Sequence, residues 1–441
     1  MKKIILLLIA ALFSYAVQAE GDPKIIAAPI IEFDLANGLH VIISPDKTSP
    51  IVCVGMMYHV GSKNENEDRT GFAHLFEHLL FFGTKNIAEK QMDPLIRSVG
   101  GYSNASTSAD RTFYYTIFPA NQYRLGLWIE AERLYHPIMT QAAINREREV
   151  VKEESRQRYD GSPMGRTPED MTAFEYKTCS YRWPVIGSME HLNMASLSDF
   201  EDFFKNFYVP NNACLVLTGN VKIDDAKEYI NAYFSRIPRG ADVIQPVCND
   251  KAPAKEEVIE KSMKGINKPH VMVSYTTVPQ MERDAKVLEF ITGYLGLDEQ
   301  GLFKSVERQK QAGITKIGIS TEFYELAGSI WIRASYKDSL NYRDILNTLD
   351  AELAKLGDKG LDPLKMQRLK ANYESSYVDI YYEPKFLGET LGLYHFLWGD
   401  AKKLNGITNE YLSVTNEEIK AAVKKYLNPR NRRVIVYNPQ K

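Results

Sequence analysis

An α+β fold in two similar domains, each a mainly antiparallel sheet packed with helices, is the architecture predicted by this 441-residue sequence. Three observations carry that expectation. Short runs rich in Val, Ile, Tyr and Thr alternate with longer segments of helical spacing. The order strand, helix, strand is met once before residue 235 and again after residue 257, a repeat of element order rather than of residue identity. Between the two, SRIPRGADVIQPVCNDKAPAKEE (235–257) is rich in Pro, Asp and Lys and reads as a linker. The expected division is residues 28–238, a linker at 239–256, and residues 257–441.

The elements follow in chain order. IIEFDLANGLHVIISPD reads as two strands joined by an Asn37-Gly38 turn. PIVCVGMMYHVGS is a further strand, apolar enough to be buried, and Thr70 to Phe82 is a helix ended by Gly83. GGYSNASTSADRTFYYTIFP predicts paired strands, and QYRLGLWIEAERLYHP and QAAINREREVVKEESRQRY predict helices with charged faces. NACLVLTGNV returns to a strand. In the second half, KPHVMVSYTTVP, AGSIWIRASY and RNRRVIVYNP are strands, while RDAKVLEFITGYLG, YRDILNTLDAELAKLGDKG and KMQRLKANYESSYVDIYY are helices.

A formal net charge of −2, with no long basic run, argues against nucleic acid as a partner. The first twenty residues pair Lys2 and Lys3 with an apolar run from Ile4 to Val17 and close on Val17-Gln18-Ala19. That is the pattern of a secretory signal peptide (1–19) cut after Ala19. The run is shorter than the roughly 20 residues a spanning helix needs, and no later segment is apolar enough to cross a bilayer. Export to the periplasm is the expected destination, with secretion to the medium as the alternative. Of the four cysteines, Cys53 and Cys214 lie in strand-like runs and read as buried small hydrophobes. The spacing of the four does not resemble a zinc site made of thiolates, and sequence alone pairs none of them.

The chemistry concentrates in GFAHLFEHLLFFGT (71–84). Residues four apart on a helix lie one above the other, so His74 and His78 share a face. Two imidazoles at that spacing can both reach one ion at about 2.0–2.1 Å, the usual zinc–nitrogen distance. Glu77 is on nearly the same face but adjoins His78, which suits it to taking a proton from a metal-bound water whose pKa zinc lowers to about 7. His-x-x-Glu-His inverts the common His-Glu-x-x-His zinc helix. A catalytic zinc also wants a third protein ligand. NREREVVKEESRQRYD offers Glu147, Glu149, Glu153 and Glu154 on one helix, although most such glutamates are solvated charges.

At these residues the chain resembles the pitrilysin, insulinase and mitochondrial processing peptidase family of inverzincin peptidases. In that family a ligand glutamate follows the histidine motif by about 76 residues, with a supporting glutamate seven residues before it. Glu154 lies 76 residues beyond His78, and Glu147 seven residues before Glu154. Glu153 is the runner-up ligand. The resemblance implies one Zn²⁺ per chain held by His74, His78 and Glu154, with Glu77 as catalytic base and Glu147 supporting the site. It further implies that GGYSNASTSAD forms an edge strand, with Asn104 and Ala105 at the family's Asn-Ala position, against which a peptide substrate adds as another strand.

The sequence departs from the family pattern in the second half. Active members use an arginine and, seven residues on, a tyrosine. Arg308 matches the arginine as a substrate-binding residue, but Thr315 stands at the tyrosine's place and Tyr324 does not match the spacing. Losing such a donor costs about 10²–10³ in rate. The expectation is therefore the metal-bearing subunit of a heterodimer whose homologous partner supplies the arginine–tyrosine pair, with a homodimer as the alternative. As an enzyme the chain is expected to be an exported zinc endopeptidase acting on peptides or unfolded polypeptides. The rival is a non-catalytic peptide-binding or assembly subunit.

Overall fold

The structure is a computed structural model and describes residues 27–297, 303–304 and 313–440. The predicted signal peptide and Arg308 lie outside the described residues.

Two sheets organise the chain. The first contains β1 (Ile31–Asp34), β2 (His40–Pro45), β3 (Ile51–Tyr58), β4 (Tyr102–Thr107), β5 (Thr112–Pro119) and β6 (Ala213–Gly219), in the order β1-β2-β6-β3-β5-β4. The second contains β7 (Glu257–Met263), β8 (His270–Thr276), β9 (Ile314–Phe323), β10 (Gly328–Tyr336) and β11 (Arg432–Pro439), in the order β7-β11-β8-β10-β9. Each sheet is antiparallel except for one parallel pair, β2 with β6 and β7 with β11. Laid over one another, β2-β6-β3-β5-β4 and β7-β11-β8-β10-β9 have the same order, the same parallel pair and the same edge. The α+β repeat read from element order is thus a repeat of topology.

The predicted strands form where the sequence places them. β3 is buried along nearly its whole length because both faces of the first sheet are covered. On one face lie the helix Phe72–Leu79 and its neighbours, with Phe76 and Tyr114 in a core shared with Val54 and Leu217. The other face is covered from the far end of the chain. The helix Pro384–Trp398 packs Leu387, Leu391 and Tyr394 against Ile42, Cys214 and Val216. Gly388 and Gly392 let it approach closely: a Cβ on Gly392 would stand 3.2 Å from the Met57 side chain.

The exchange is reciprocal. The helix Thr167–Glu175, from the first half, lays Met171 against Met272, Trp331, Ile435 and Tyr437 of the second sheet. The stretch between Phe234 and Glu257 has no helix or strand. Asp250 within it accepts hydrogen bonds from the Lys177, Thr178 and Cys179 amides, and Cys248 is bonded to Cys179. Cys53 and Cys214 are free and buried, as expected of small hydrophobes. Among the described residues, no helix is long and apolar enough to cross a membrane.

Glu175 closes the helix that the first half lends to the second sheet. Its carboxylate accepts from the Ser274 hydroxyl and from Trp331 Nε1 at 3.0 Å. Burial pushes its pKa up to about 8, against the pull of the donors Trp331 and Ser329. Between the ordinary 4.5 and about 8, the folded chain therefore holds a proton that the unfolded chain has released. The linkage sign makes this contribution to stability full below 4.5 and lost as pH rises toward 8. The thermal midpoint of the wild-type chain is expected to fall between pH 5 and 8. Glu175→Gln should make that part of the profile shallower, leaving the part owed to Glu65, whose carboxyl burial also pushes up to about 8, and melting curves across the window check it.

Candidate metal centre

The helix Phe72–Leu79 has eight residues, and its apolar positions Phe72, Leu75, Phe76 and Leu79 are buried in the first core. Its start is Gly71, at φ 90°, which has no side chain to cap the orphan amides. Glu65 does so instead: its carboxylate accepts from Gly71 N at 2.9 Å and Ala73 N at 2.8 Å. Burial pushes Glu65 up to about 8, against those amide bonds. The predicted helix was longer at both ends; Gly71 and the turn at Leu80 set the shorter limits.

His74 and His78 stand edge to face with ring centroids 5.0 Å apart. Glu154 comes from the helix Gln141–Ser155, which is capped by Thr140. Its Oε2 lies 3.6 Å from His74 Nε2 and 3.5 Å from His78 Nε2. These separations are too long for good hydrogen bonds. They match instead the edge of about 3.4 Å of a tetrahedron with ligand arms of 2.0–2.1 Å. Two imidazoles and a carboxylate are also a donor set that zinc takes, and the residues fit the ion. Burial, with the charges of His78 and Arg158, pushes His74 down to about 3, keeping it neutral, the form that a metal ligand needs.

Glu147 is two helical turns before Glu154 and shares its face; its Oε2 lies 3.9 Å from His78 Nδ1. The nitrogen that does not face Glu154 thus has a carboxylate behind it, whereas His74 Nδ1 has no hydrogen-bond partner among the described residues. Glu153 points elsewhere, exposed and paired with Arg156. Glu77 Oε2 accepts from Thr107 Oγ1 at 2.6 Å. Burial raises its pKa, opposed by the Thr107 bond and His78.

β4 is an edge strand of its sheet, with Asn104 opposite Tyr115 and Ala105 opposite Tyr114 on β5. Asn104, Ala105, Ser106 and Thr107 border a cleft of about 340 Å³ shared with His74, Glu77, His78 and Glu154. The structure thus brings together the predicted ligands, the predicted base and the predicted edge strand. Thr315 lies on β9, the equivalent edge of the second sheet, where its hydroxyl donates to Ser335 O at 3.1 Å.

Sequence reasoning missed Thr107, Glu65, Arg158 and Tyr159. Arg158 stands four residues after Glu154, a helical spacing that signals a shared face, whereas Thr107, an odd number of residues from Asn104 on a strand, had no such signal. Glu65 had none, because its target lies six residues on across an irregular turn.

The family described as Insulinase (Peptidase family M16) matches residues 40–178, and the Peptidase M16 inactive domain matches residues 195–373. The zinc protease PqqE of Helicobacter pylori is 26% identical over 350 residues, 78% of each chain. The crystal structure of a protease from Helicobacter pylori superposes with a TM-score of 0.87 at 22% identity, covering 93% of this chain and all of that one. The periplasmic protease PqqL of Escherichia coli superposes with a TM-score of 0.75 at 18% identity over 94% of this chain and 48% of its own. Matched by the family in both its halves, the chain belongs to the insulinase family of peptidases, M16.

Proposed function

We propose that the chain is an exported zinc endopeptidase that hydrolyses peptides or unfolded polypeptides. The observation that carries this reading is the triangle of His74, His78 and Glu154 donor atoms, with Glu77 beside it, in a cleft bordered by an edge strand. A zinc ion held by these three groups supplies an acidified water and polarisation of the peptide carbonyl. Glu77 takes the proton of the attacking water and returns it to the leaving amine. Thr107 holds the Glu77 carboxylate for that task, and Glu147 orients His78. An extended peptide pairs with β4 beside Asn104 and Ala105 through main-chain hydrogen bonds.

In this reading residues 28–238 form the zinc-binding catalytic domain, 239–256 the linker and 257–441 the second domain, each lending a helix to the other's sheet. The signal-peptide pattern and the likeness to PqqL, a periplasmic protease, support export to the periplasm. PqqL is about twice as long as the part of it this chain matches. That supports assembly with a second, homologous subunit, which supplies the arginine–tyrosine pair that Arg308 and Thr315 leave incomplete; a homodimer is the alternative. The rival reading, a non-catalytic peptide-binding subunit, has Thr315 in its favour and the retained donor triangle against it.

The test is cleavage of an unstructured quenched peptide by the full chain, with zinc content measured alongside. Turnover is expected to vanish with a chelator and to return with added zinc. A chain that neither holds zinc stoichiometrically nor cleaves the peptide, alone or with a homologous partner, would be the scaffold instead.

A further inference from the structure

The helix that carries Glu147 and Glu154 does not end as an α-helix. It runs into a π turn, Arg156–Asp160, closed by the Gly161 amide donating to Arg156 O at 2.9 Å. On an α-helix the residue five beyond Glu154 would be turned about 140° away from it. The wider turn, with its i→i+5 closure, brings that residue back toward the same face. Arg158 and Tyr159 consequently both line the metal cleft. Arg166 pins the turn: it bonds Asp160 Oδ1 at 2.7 Å and Ser155 Oγ at 3.1 Å, and its guanidinium stands 5.6 Å from the centre of the Tyr159 ring.

The oxygens of Glu154 are divided between two tasks. Oε2 faces the histidine pair, while Oε1 takes Arg158 Nη1 at 3.0 Å. Arg158 is thereby held beside the ion site and lines the cleft, yet its side chain is 66% exposed. His74, His78, Glu77 and Glu154 are committed to the ion and the water. Among the other described residues lining the cleft, Arg158 carries the one charged side chain, and Tyr159, Val185 and Ile186 add apolar wall. Edge-strand pairing along β4 reads no side chains, so selection falls to the remaining walls.

We propose that Arg158 selects peptides with an acidic side chain next to the scissile bond, a specificity that rests on the peptidase reading above. A planar guanidinium with one nitrogen on Glu154 keeps further N–H donors for a second carboxylate. A lysine in the same place would meet like charge against an apolar wall. Since Arg158 also touches Glu154, its removal could lower activity for a merely structural reason. The test must therefore read preference as well as rate.

The experiment compares quenched peptides identical except for Glu, Gln or Lys at the positions flanking the cleaved bond. kcat/KM is measured with the full chain, and Kd by fluorescence anisotropy with the zinc-loaded Glu77→Gln variant, which reads selection without turnover. The Glu peptide is expected to be favoured over the Lys peptide by about tenfold in both readouts. Arg158→Gln should flatten the series and Arg158→Glu invert it. Equal treatment of the three peptides by the wild type, or an equal loss on all three in Arg158→Gln, overturns the inference and leaves the peptidase reading standing. If no peptide is cleaved or bound at all, by the chain alone or with a homologous partner subunit, the peptidase reading falls and takes the inference with it.

Discussion

Glu77→Gln is expected to lower kcat/KM on an unstructured peptide by about 10²–10⁴, the range that general acid–base catalysis supplies, while leaving stoichiometric zinc in place. The substitution is nearly isosteric. A glutamine oxygen can still accept from Thr107 Oγ1, so the side chain keeps its place in the cleft. What it cannot do is take a proton from water and hand it to the leaving amine. The donor triangle of His74, His78 and Glu154 does not include it, so metal content and melting temperature should stay near those of the wild type. Kinetics, metal analysis and a melting curve on one preparation check all three. A variant that retains more than about a tenth of the wild-type rate would show that the proton moves by another route.

The contrast with a ligand substitution sharpens the assignment. Glu154→Gln removes the negative charge that both histidines face and that pairs with Arg158, leaving a neutral amide that is a poor zinc ligand. It should lose zinc and activity together, whereas Glu77→Gln loses activity alone. The two variants therefore separate holding the ion from using it.

The parts of this site differ in how far the sequence discloses them. His74, Glu77 and His78 are close in the chain and on one helix, so a 3.6-residue period is enough to place them together. Glu147 and Glu154 lie on a helix with two further exposed glutamates, and periodicity cannot say which pair faces inward; there a counted resemblance was needed. Tyr159 was illegible for a sharper reason. Its orientation depends on a π turn, and no local pattern of polar and apolar residues encodes a single widened turn. In the fold, the strands were legible because β-branched and aromatic runs bounded by turns mark them well. The helix Pro384–Trp398 was not, since it is apolar on more than one face and holds Gly388 and Gly392, which lower helix propensity but allow close packing on β3 and β6. That the helices are exchanged between halves is a property of packing at long range, and no window of sequence contains it.

The same long-range packing creates the site of the largest expected change in stability. Lys63, fully buried, pairs with Glu325 and lies 3.4 Å from Asp110 Oδ1. His59 Nε2 stands 2.7 Å from Glu325 Oε2. Glu325 belongs to the β9–β10 turn, and Asp110 to the β4–β5 turn. The Glu325 amide donates to Asp110 Oδ2 at 3.1 Å, and the Tyr181 hydroxyl bonds Asp110 Oδ1. Burial works against ionisation of Glu325, but the bonds and charges of His59 and Lys63 hold its carboxyl below the usual range. One buried cation thus bridges two carboxylates on two hairpins from opposite halves of the chain. Lys63→Met keeps the stem and removes the charge, leaving both carboxylates half-buried and short of a counter-charge. Breaking a buried pair from one side costs about 3–5 kcal/mol, and denaturant unfolding of the variant should show a loss of that size. Adding Glu325→Gln should recover part of it, because the second change removes the stranded charge; a double-mutant cycle measures the coupling. Because β4 ends at the turn that Asp110 anchors, and Thr107 on β4 holds Glu77, the single variant should also lose more activity than its remaining folded fraction accounts for. Full recovery of rate per folded molecule would show that the clamp between the hairpins is structural and does not reach the cleft.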